Sequence, residues 1–271
     1  MNSILRYLHW INFDTALGAA ITSLFIADCL GTEIPVVAVV TLFIAVLSIY
    51  NFDHLMDARR VHTVAKSKRH RFYQQHLRLL SIYQLILIFG LIIIIWYLPT
   101  DILRAGLILA LVTGIYFILL FFIFPNKFLL KEIMIAAVYS LALFLAPVYT
   151  NNADTSWLVL WLQILILAIA NTLIFAWYDY EIDVSEGHTS LAGNLGKKSI
   201  YRMIMAVLGL SVFLVVYQLL ITGIVFAQII ILIMTLVLLF SLLAHKYLSR
   251  KELYRVVGDA VFLIPAITFL I

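Results

Sequence analysis

Two pairs of aspartates with the same spacing are the residues in this sequence best suited to chemistry. Asp53 and Asp57 lie four positions apart, and Asp179 and Asp183 repeat that spacing. On a helix, residues four apart share one face, so each pair would present two neighbouring carboxylates. Hard oxygen ligands held close together suit Mg²⁺, whose remaining positions are commonly filled by substrate phosphates. The spacing therefore predicts two carboxylate pairs that bind Mg²⁺ together with a phosphorylated substrate.

Charge neutralisation is a simpler explanation for either pair taken alone. Like charges four positions apart weaken a helix, and basic neighbours would offset that repulsion. Arg59 and Arg60 directly follow the first pair, and Lys197 and Lys198 follow the second. The motif is repeated, however, and each copy follows a long apolar run. This repetition favours one shared site over two unrelated, solvated helix ends.

Other polar residues near the two pairs are candidates for the substrate site. Asn51 and Asn171 could support the metal shell, or they could make ordinary hydrogen bonds near a helix end. The basic candidates for a diphosphate are Arg69, Arg71, Lys127, Lys131, Lys197 and Lys198. Anchoring at a membrane surface would explain the same basic residues without any ligand.

Two further sets of ionisable residues can be explained without a functional role. His54, His62, His70 and His76 show no zinc-type spacing with cysteines, so no metal binding is expected of them. Asp259 follows Arg255 by four positions, which predicts an ion pair between these two residues along one helix.

The elements that position these residues must be membrane helices. Hydrophobic residues make up 65% of the 271 residues and charged residues 12%, against roughly 45–50% and 25% in soluble domains. A spanning helix needs about 20 mainly apolar residues. Nine stretches meet this requirement, at 13–30, 33–50, 78–98, 102–124, 129–149, 156–177, 200–221, 224–244 and 255–271. We expect a single all-α domain over residues 1–271, with about nine transmembrane helices around a central cavity.

The basic residues predict the orientation of these helices. With nine spans, all of the 18 Lys and Arg residues except Arg104 fall on the face that carries the N-terminus and both aspartate motifs. The positive-inside rule places that face in the cytosol. The net charge of +4 is then a signal of topology in a cytoplasmic-membrane protein, and no nucleic-acid partner is expected.

The motifs and the helix count together resemble the UbiA-type superfamily of intramembrane prenyltransferases. Its members have nine helices and two aspartate-rich motifs, after helices 2 and 6, which face each other at the cytosolic side of a central cavity. The stretch from Asp179 through Asp183, Gly187 and Thr189, followed by Leu-Gly-Lys at 195–197, is similar to the second motif of the family. The first motif departs from the family pattern, because Ile49 stands where an asparagine is usual.

The resemblance implies transfer of a prenyl group from an isoprenoid diphosphate to a lipophilic acceptor within the membrane, and an aromatic acceptor is expected. Asp53, Asp57, Asp179 and Asp183 would be the catalytic, Mg²⁺-binding residues. Two alternatives remain open on the sequence: a catalytically silent relative or scaffold, and a transporter. Transporter sites usually lie near the bilayer midplane, whereas these carboxylates are expected at the cytosolic rim.

Overall fold

The apolar stretches fold into helices, since in lipid the backbone polar groups of a spanning segment must bond within the protein. The computed structural model describes residues 3–60, 64, 67–123, 131–150, 157–186, 191–221 and 225–270, and no strand occurs among them. The helices are α1 (Ser3–Trp10), α2 (Phe13–Cys29), α3 (Val36–Arg60), α4 (Lys68–Gln75), α5 (Leu77–Ile94), α6 (Thr100–Ile118), α7 (Lys131–Thr150), α8 (Trp157–Glu186), α9 (Leu191–Leu195), α10 (Lys197–Ile221), α11 (Val225–Leu243), α12 (His245–Leu248) and α13 (Leu253–Ala260). Helix α13 continues as a 3₁₀ helix over Val261–Leu270, and short 3₁₀ or π-helical turns cover Ile95–Tyr97, Leu119–Ile123 and Arg250–Glu252.

Eight helical segments in the described part of the chain are long and apolar enough to cross a bilayer. The predicted first span corresponds to α2, which has 17 residues and lies at the short end of the roughly 17–25 residues needed. The chain is an all-α polytopic membrane protein, as the sequence predicts.

The two helices that carry the aspartate motifs extend beyond the predicted ends of their spans. Helix α3 was expected to end near residue 50 and reaches Arg60, and α8 was expected to end near residue 177 and reaches Glu186. Each motif therefore lies on a continuous helix, one or two turns past the apolar stretch. Helix α8 is the central one: 56% of its most apolar stretch is buried inside the protein, compared with 17% for α5 and α6.

A proline in α7 creates a contact between α7 and α2. Pro147 has no N–H, so the carbonyl of Leu143, four positions earlier, loses its usual helical donor. The hydroxyl of Ser23 in α2 donates a hydrogen bond to that carbonyl oxygen at 2.9 Å. The freed carbonyl is thereby satisfied by a neighbouring helix instead of facing lipid.

A second proline ties the last helix to α2 in the same way. In a 3₁₀ helix the carbonyl of Phe262 would accept from residue 265, but Pro265 has no N–H to donate. The hydroxyl of Thr22 donates to that carbonyl at 2.9 Å. The helices also approach closely at Gly18, where an added Cβ would lie 3.0 Å from the Cβ of Phe262. Adjacent hydroxyls of α2 thus hold two proline-containing helices.

Candidate functional site

The aspartate motifs meet at a cavity of about 210 Å³ between α3, α4, α7, α8 and α13. Asp53, Asp57 and Asp179 all line it. Asp183 follows one turn later in α8, and its side chain lies outside the described residues. Both motifs thus contribute at least one carboxylate to the same space.

Lys131, the first residue of α7, lies between the two carboxylates of the first motif. Its Nζ is 3.8 Å from Asp53 Oδ1 and 3.6 Å from Asp57 Oδ2. Both separations exceed normal hydrogen-bond lengths, so the lysine is an electrostatic neighbour to both carboxylates. The two aspartate side chains remain 15% and 14% exposed.

Arg59, one of the two expected partners of the first motif, does not pair with it. Its Nη2 donates to Ser81 Oγ at 3.3 Å, and the side chain of Arg60 lies outside the described residues. Lys131, from another helix, lies within 4 Å of both carboxylates.

Both oxygens of Asp179 accept hydrogen bonds from the last helix. The Tyr254 hydroxyl donates to Oδ1, and Arg255 Nη2 donates to Oδ2 at 2.7 Å. Tyr254 also stacks on Tyr178, with ring centroids 4.2 Å apart and planes 4° from parallel. This pairing corrects the predicted ion pair between Arg255 and Asp259, because Arg255 makes its close contact with Asp179.

Gly258 allows the last helix to reach the site. A Cβ at this position would lie 2.5 Å from Asn171 Oδ1, far inside contact distance. Only glycine permits so close an approach of α13 to α8. Asn171 lines the cavity, and its buried Oδ1 has no hydrogen-bond partner among the described residues.

Asn51 does not line the cavity, contrary to its expected role. Its Nδ2 donates to Gln84 Oε1 at 2.8 Å, and its Oδ1 accepts from the Tyr73 hydroxyl at 3.0 Å. Gln84 in turn donates to Ser48 Oγ at 2.8 Å. Residues two apart on a helix point about 200° apart, so Asn51 faces away from Asp53. It fixes α3 against α4 and α5 and thereby orients the carboxylates.

The basic candidates divide into those at the cavity and those elsewhere. Lys131 and Arg69 line it, whereas Arg71 is exposed on α4 and Lys127 lies outside the described residues. Lys197 pairs with Glu181 at 3.2 Å and lies 5.2 Å from the Trp177 ring centroid. Lys198 is exposed. The geometry therefore supports Lys131 and Arg69 as ligand contacts and does not bring Arg71, Lys197 or Lys198 to the cavity.

Arg69 and Arg255 offer donors to an anion inside the cavity. The Nε atom of each is buried and has no hydrogen-bond partner among the described residues. Burial and the nearby positive charge of Arg255 lower the pKa of the Arg69 guanidinium from its usual value, although arginine stays charged near neutral pH. Buried, unsatisfied guanidinium donors are well suited to phosphate oxygens.

Sequence reasoning missed several residues that line this space. Five described carboxylates and three basic side chains line the cavity, which gives a formal charge of −2 when every carboxylate is ionised and the histidines are neutral. Among the missed residues are Glu132, His54, Arg255 and Asp259. The signal for the last two was an ionisable pair within the final apolar stretch, since charges within spans are costly and often functional.

A smaller apolar chamber of about 60 Å³ adjoins the polar cavity. The two share Tyr50, Asp53, Ile135 and Tyr139 in their walls. The rest of the chamber is lined mainly by aliphatic and aromatic side chains, including Val46, Phe117 and Val138. A charged region and an apolar region thus lie side by side, with Asp53 at their boundary.

The sequence matches no protein-family model and no curated protein, but the structure is similar to solved structures. One is a UbiA homologue from Archaeoglobus fulgidus bound to DMAPP and Mg²⁺, with 13% identity, a TM-score of 0.64, and coverage of 96% of this chain and 99% of that one. The homologue bound to GPP and Mg²⁺ gives 13% identity and a TM-score of 0.65 over 98% and 99% of the two chains. A form bound to Cd²⁺ gives 15% identity and a TM-score of 0.59 over 95% and 97%. Over nearly its whole length, the chain therefore has the UbiA-type fold.

Proposed function

We propose that this protein transfers a prenyl group from an isoprenoid diphosphate to a lipophilic acceptor inside the membrane. The observation that carries the proposal is the meeting of Asp53, Asp57 and Asp179 with Arg69, Lys131 and Arg255 around one cavity. The similar UbiA homologues hold DMAPP or GPP together with Mg²⁺. Both are isoprenoid diphosphates, which fits a charged cavity with an apolar chamber beside it.

The donor groups in the cavity suit a magnesium ion. Asp53 and Asp57 present carboxylate oxygens one helical turn apart, and both side chains are partly accessible. Asp179 and Asp183 would complete the set from α8. Bound Mg²⁺ would neutralise the diphosphate and so stabilise the charge of the departing group. The net negative charge of the cavity supports this requirement, because without added cations it would repel a diphosphate.

The remaining groups of the site have separate roles in the proposed reaction. The guanidinium groups of Arg69 and Arg255 would donate hydrogen bonds to the diphosphate oxygens, and Lys131 would add a positive charge. The allylic C–O bond breaks and its electron pair leaves with the diphosphate. The acceptor then forms a bond to the allylic carbon and releases a proton. Tyr50 and Tyr139, on the wall shared with the apolar chamber, can shelter the allylic cation with their ring faces.

Calorimetry on the detergent-purified protein tests this proposal. Binding of GPP should fall at least about tenfold in EDTA and recover when Mg²⁺ is restored, because the ion offsets repulsion between like charges. Asp53→Asn preserves the shape of the side chain and should weaken the Mg²⁺ response by a similar factor. Asp101→Asn is the matched control, since Asp101 is 74% exposed in a pair with Arg104 and should leave binding unchanged.

A catalytically silent relative is the second candidate, and the engagement of both oxygens of Asp179 favours it. Such a protein would bind GPP in the presence of Mg²⁺ and yield no prenylated lipid. Incubation of membranes with labelled GPP, Mg²⁺ and a panel of lipophilic acceptors distinguishes the two. GPP binding that is unaffected both by EDTA and by Asp53→Asn would overturn the metal-diphosphate site itself.

The protein is a multi-pass membrane protein, and we infer that its single domain lies in the cytoplasmic membrane with the N-terminus and cavity facing the cytosol. The distribution of Lys and Arg supports this orientation. Single cysteines introduced at Lys198 and Arg104 in a variant lacking Cys29 provide the test. An impermeant thiol reagent should label position 104 in intact cells and spare position 198, and the reverse result would invert the topology.

A further inference from the structure

Two histidines and an aspartate form a group at the cavity that the sequence analysis did not anticipate. Ligand atoms of His54, Asp57 and His70 all lie within 4.8 Å of one another. His54 and Asp57 come from α3 and His70 from α4, and all three line the cavity. The absence of zinc-type spacing with cysteines concealed them, because the second histidine is brought in by the fold.

His54 is held in a state that suits a metal ligand. Its Nε2 lies 3.3 Å from Asn12 Oδ1, so with the amide in this orientation Nε2 carries the proton and donates it. The other ring nitrogen, Nδ1, then has a lone pair, and it is buried without a hydrogen-bond partner. Histidine ligands of metals commonly donate their second ring N–H to an oxygen in this manner. In this arrangement the amide oxygen of Asn12 favours the tautomer that leaves Nδ1 unprotonated.

The nearest carboxylate does not use the free nitrogen of His54. Asp53 Oδ2 is 3.8 Å from Nδ1, which is too long for a hydrogen bond. A buried acceptor left unsatisfied destabilises the fold. A bound cation would remove that cost, and the net negative charge of the cavity favours one.

The spacing of the three side chains is close to that of a metal site. Ligands about 2.0–2.2 Å from a tetrahedral Zn²⁺ lie roughly 3.4 Å from one another. Atoms within 4.8 Å reach such positions through small side-chain rotations. Two imidazoles and one carboxylate suit zinc and similar transition metals, whereas Mg²⁺ prefers oxygen ligands alone.

We propose that His54, Asp57 and His70 form a binding site for Zn²⁺ or a related borderline divalent transition metal. Three protein ligands leave a fourth position open to water or a phosphate oxygen. The site shares Asp57 with the proposed Mg²⁺ site, but its occupancy requires no isoprenoid diphosphate. It would let the cavity bind a transition metal through nitrogen ligands, which the aspartate pairs alone do not provide.

A second group of similar composition shows what distinguishes this one. His9, Asp14 and Asp259 also have ligand atoms within 4.8 Å. There the histidine Nδ1 already makes a 2.6 Å hydrogen bond with Asp14 Oδ2. A metal ion at that nitrogen would have to displace a short, charge-assisted bond. The available nitrogen of His54 has no such competitor.

Cobalt binding tests the proposal directly on the full-length protein. Metal-free protein in detergent should take up one Co²⁺ per chain and develop the visible d–d absorption of a nitrogen- and oxygen-ligated site. Zn²⁺ should abolish that absorption at stoichiometric amounts, and millimolar Mg²⁺ should not. His70→Gln should weaken Co²⁺ binding at least about tenfold, because one of three ligands is lost.

Matched variants separate ligation from folding. His76→Gln is the control, since His76 is exposed at the end of the same helix and should bind Co²⁺ as the wild type does. A melting temperature of His70→Gln within about 2 °C of wild type would confirm that the fold is retained. Should that variant unfold, His54→Gln and Asp57→Asn provide the same measurement.

Two results would overturn the histidine site. One is a lack of Co²⁺ binding at micromolar concentrations, and the other is binding that depends on Asp53 and Asp179 and not on His70. Both are distinct from failure of the proposed prenyl transfer, because Mg²⁺-dependent GPP binding is measured separately on the same samples. His70→Gln that loses Co²⁺ and still binds GPP with Mg²⁺ would support both assignments.

Discussion

The two aspartate motifs share one spacing and have very different surroundings. Asp53 and Asp57 lie 3.8 and 3.6 Å from the ammonium group of Lys131 in α7. Asp179 accepts hydrogen bonds on both oxygens from neighbouring residues of the last helix. The spacing of a motif fixes where its side chains point, but the partners supplied by other helices decide whether its oxygens are available to a ligand. In this chain the first motif lies beside a lysine of α7, whereas Asp179 of the second motif is hydrogen-bonded to the last helix.

Replacement of Arg255, the cationic partner of Asp179, should lower the free energy of unfolding more than any other change proposed at the two motifs. Arg255→Met leaves the buried carboxylate of Asp179 without its cation, and breaking a buried pair costs about 3–5 kcal/mol. The free energy of unfolding in mixed detergent micelles measures this loss. Arg104→Met should cost less than about 1 kcal/mol, because its 4.0 Å pair with Asp101 is exposed. Equal decreases in the free energy of unfolding of the two variants would contradict the assignment of Arg255 as the stabilising partner of Asp179.

Removal of the Tyr254 hydroxyl should have an intermediate effect. Tyr254→Phe keeps the stacking on Tyr178 and deletes one hydrogen bond to an ionised carboxylate, which costs about 2 kcal/mol. Tyr73→Phe is the comparison at the first motif, where the acceptor is the neutral amide of Asn51 and the expected cost is about 1 kcal/mol. The free energies of unfolding of the two variants are compared in the same assay. A larger decrease for Tyr73→Phe than for Tyr254→Phe would contradict the prediction.

The smallest change in stability is expected for a substitution of Lys131. It should appear as a dependence of the unfolding temperature on Mg²⁺. Lys131→Met removes a positive charge within 4 Å of both Asp53 and Asp57, so Mg²⁺ should offset more of their negative charge than in the wild type. A ligand at about five times its dissociation constant stabilises a protein by about 1 kcal/mol. Thermal unfolding with and without Mg²⁺ should show this gain in Lys131→Met. Lys197→Met should show none, since its partner Glu181 is 80% exposed.

The parts of the site that the sequence predicted are those set by a single helix. Helical periodicity placed Asp57 one turn after Asp53, and the hydrophobic runs placed both motifs beside helix ends. The same periodicity, applied to the two-residue offset between Asn51 and Asp53, would have directed Asn51 to the opposite face. That error came from treating nearness in sequence as nearness in the site.

The missed parts depend on contacts between distant segments. Arg255 and Asp179 are 76 positions apart, and their pairing depends on the close approach of α13 at Gly258. Single-sequence patterns register neighbours three or four positions apart, so they favoured Asp259 as the partner of Arg255. His70 entered the cavity in the same way, through the packing of α4 against α3.

The two hydroxyls of α2 also bear on how the chain reaches its final form during synthesis. Ser23 and the Leu143 carbonyl are 120 positions apart, and Thr22 and the Phe262 carbonyl are 240 apart. An early helix therefore carries a donor whose acceptor is synthesised 240 positions later. Until the helix that contains Pro265 inserts beside α2, the carbonyl of Phe262 has no donor from Thr22, and lipid supplies none. The contact between these two helices, and with it the wall that brings Arg255 to Asp179, can form only after all the intervening helices have been made.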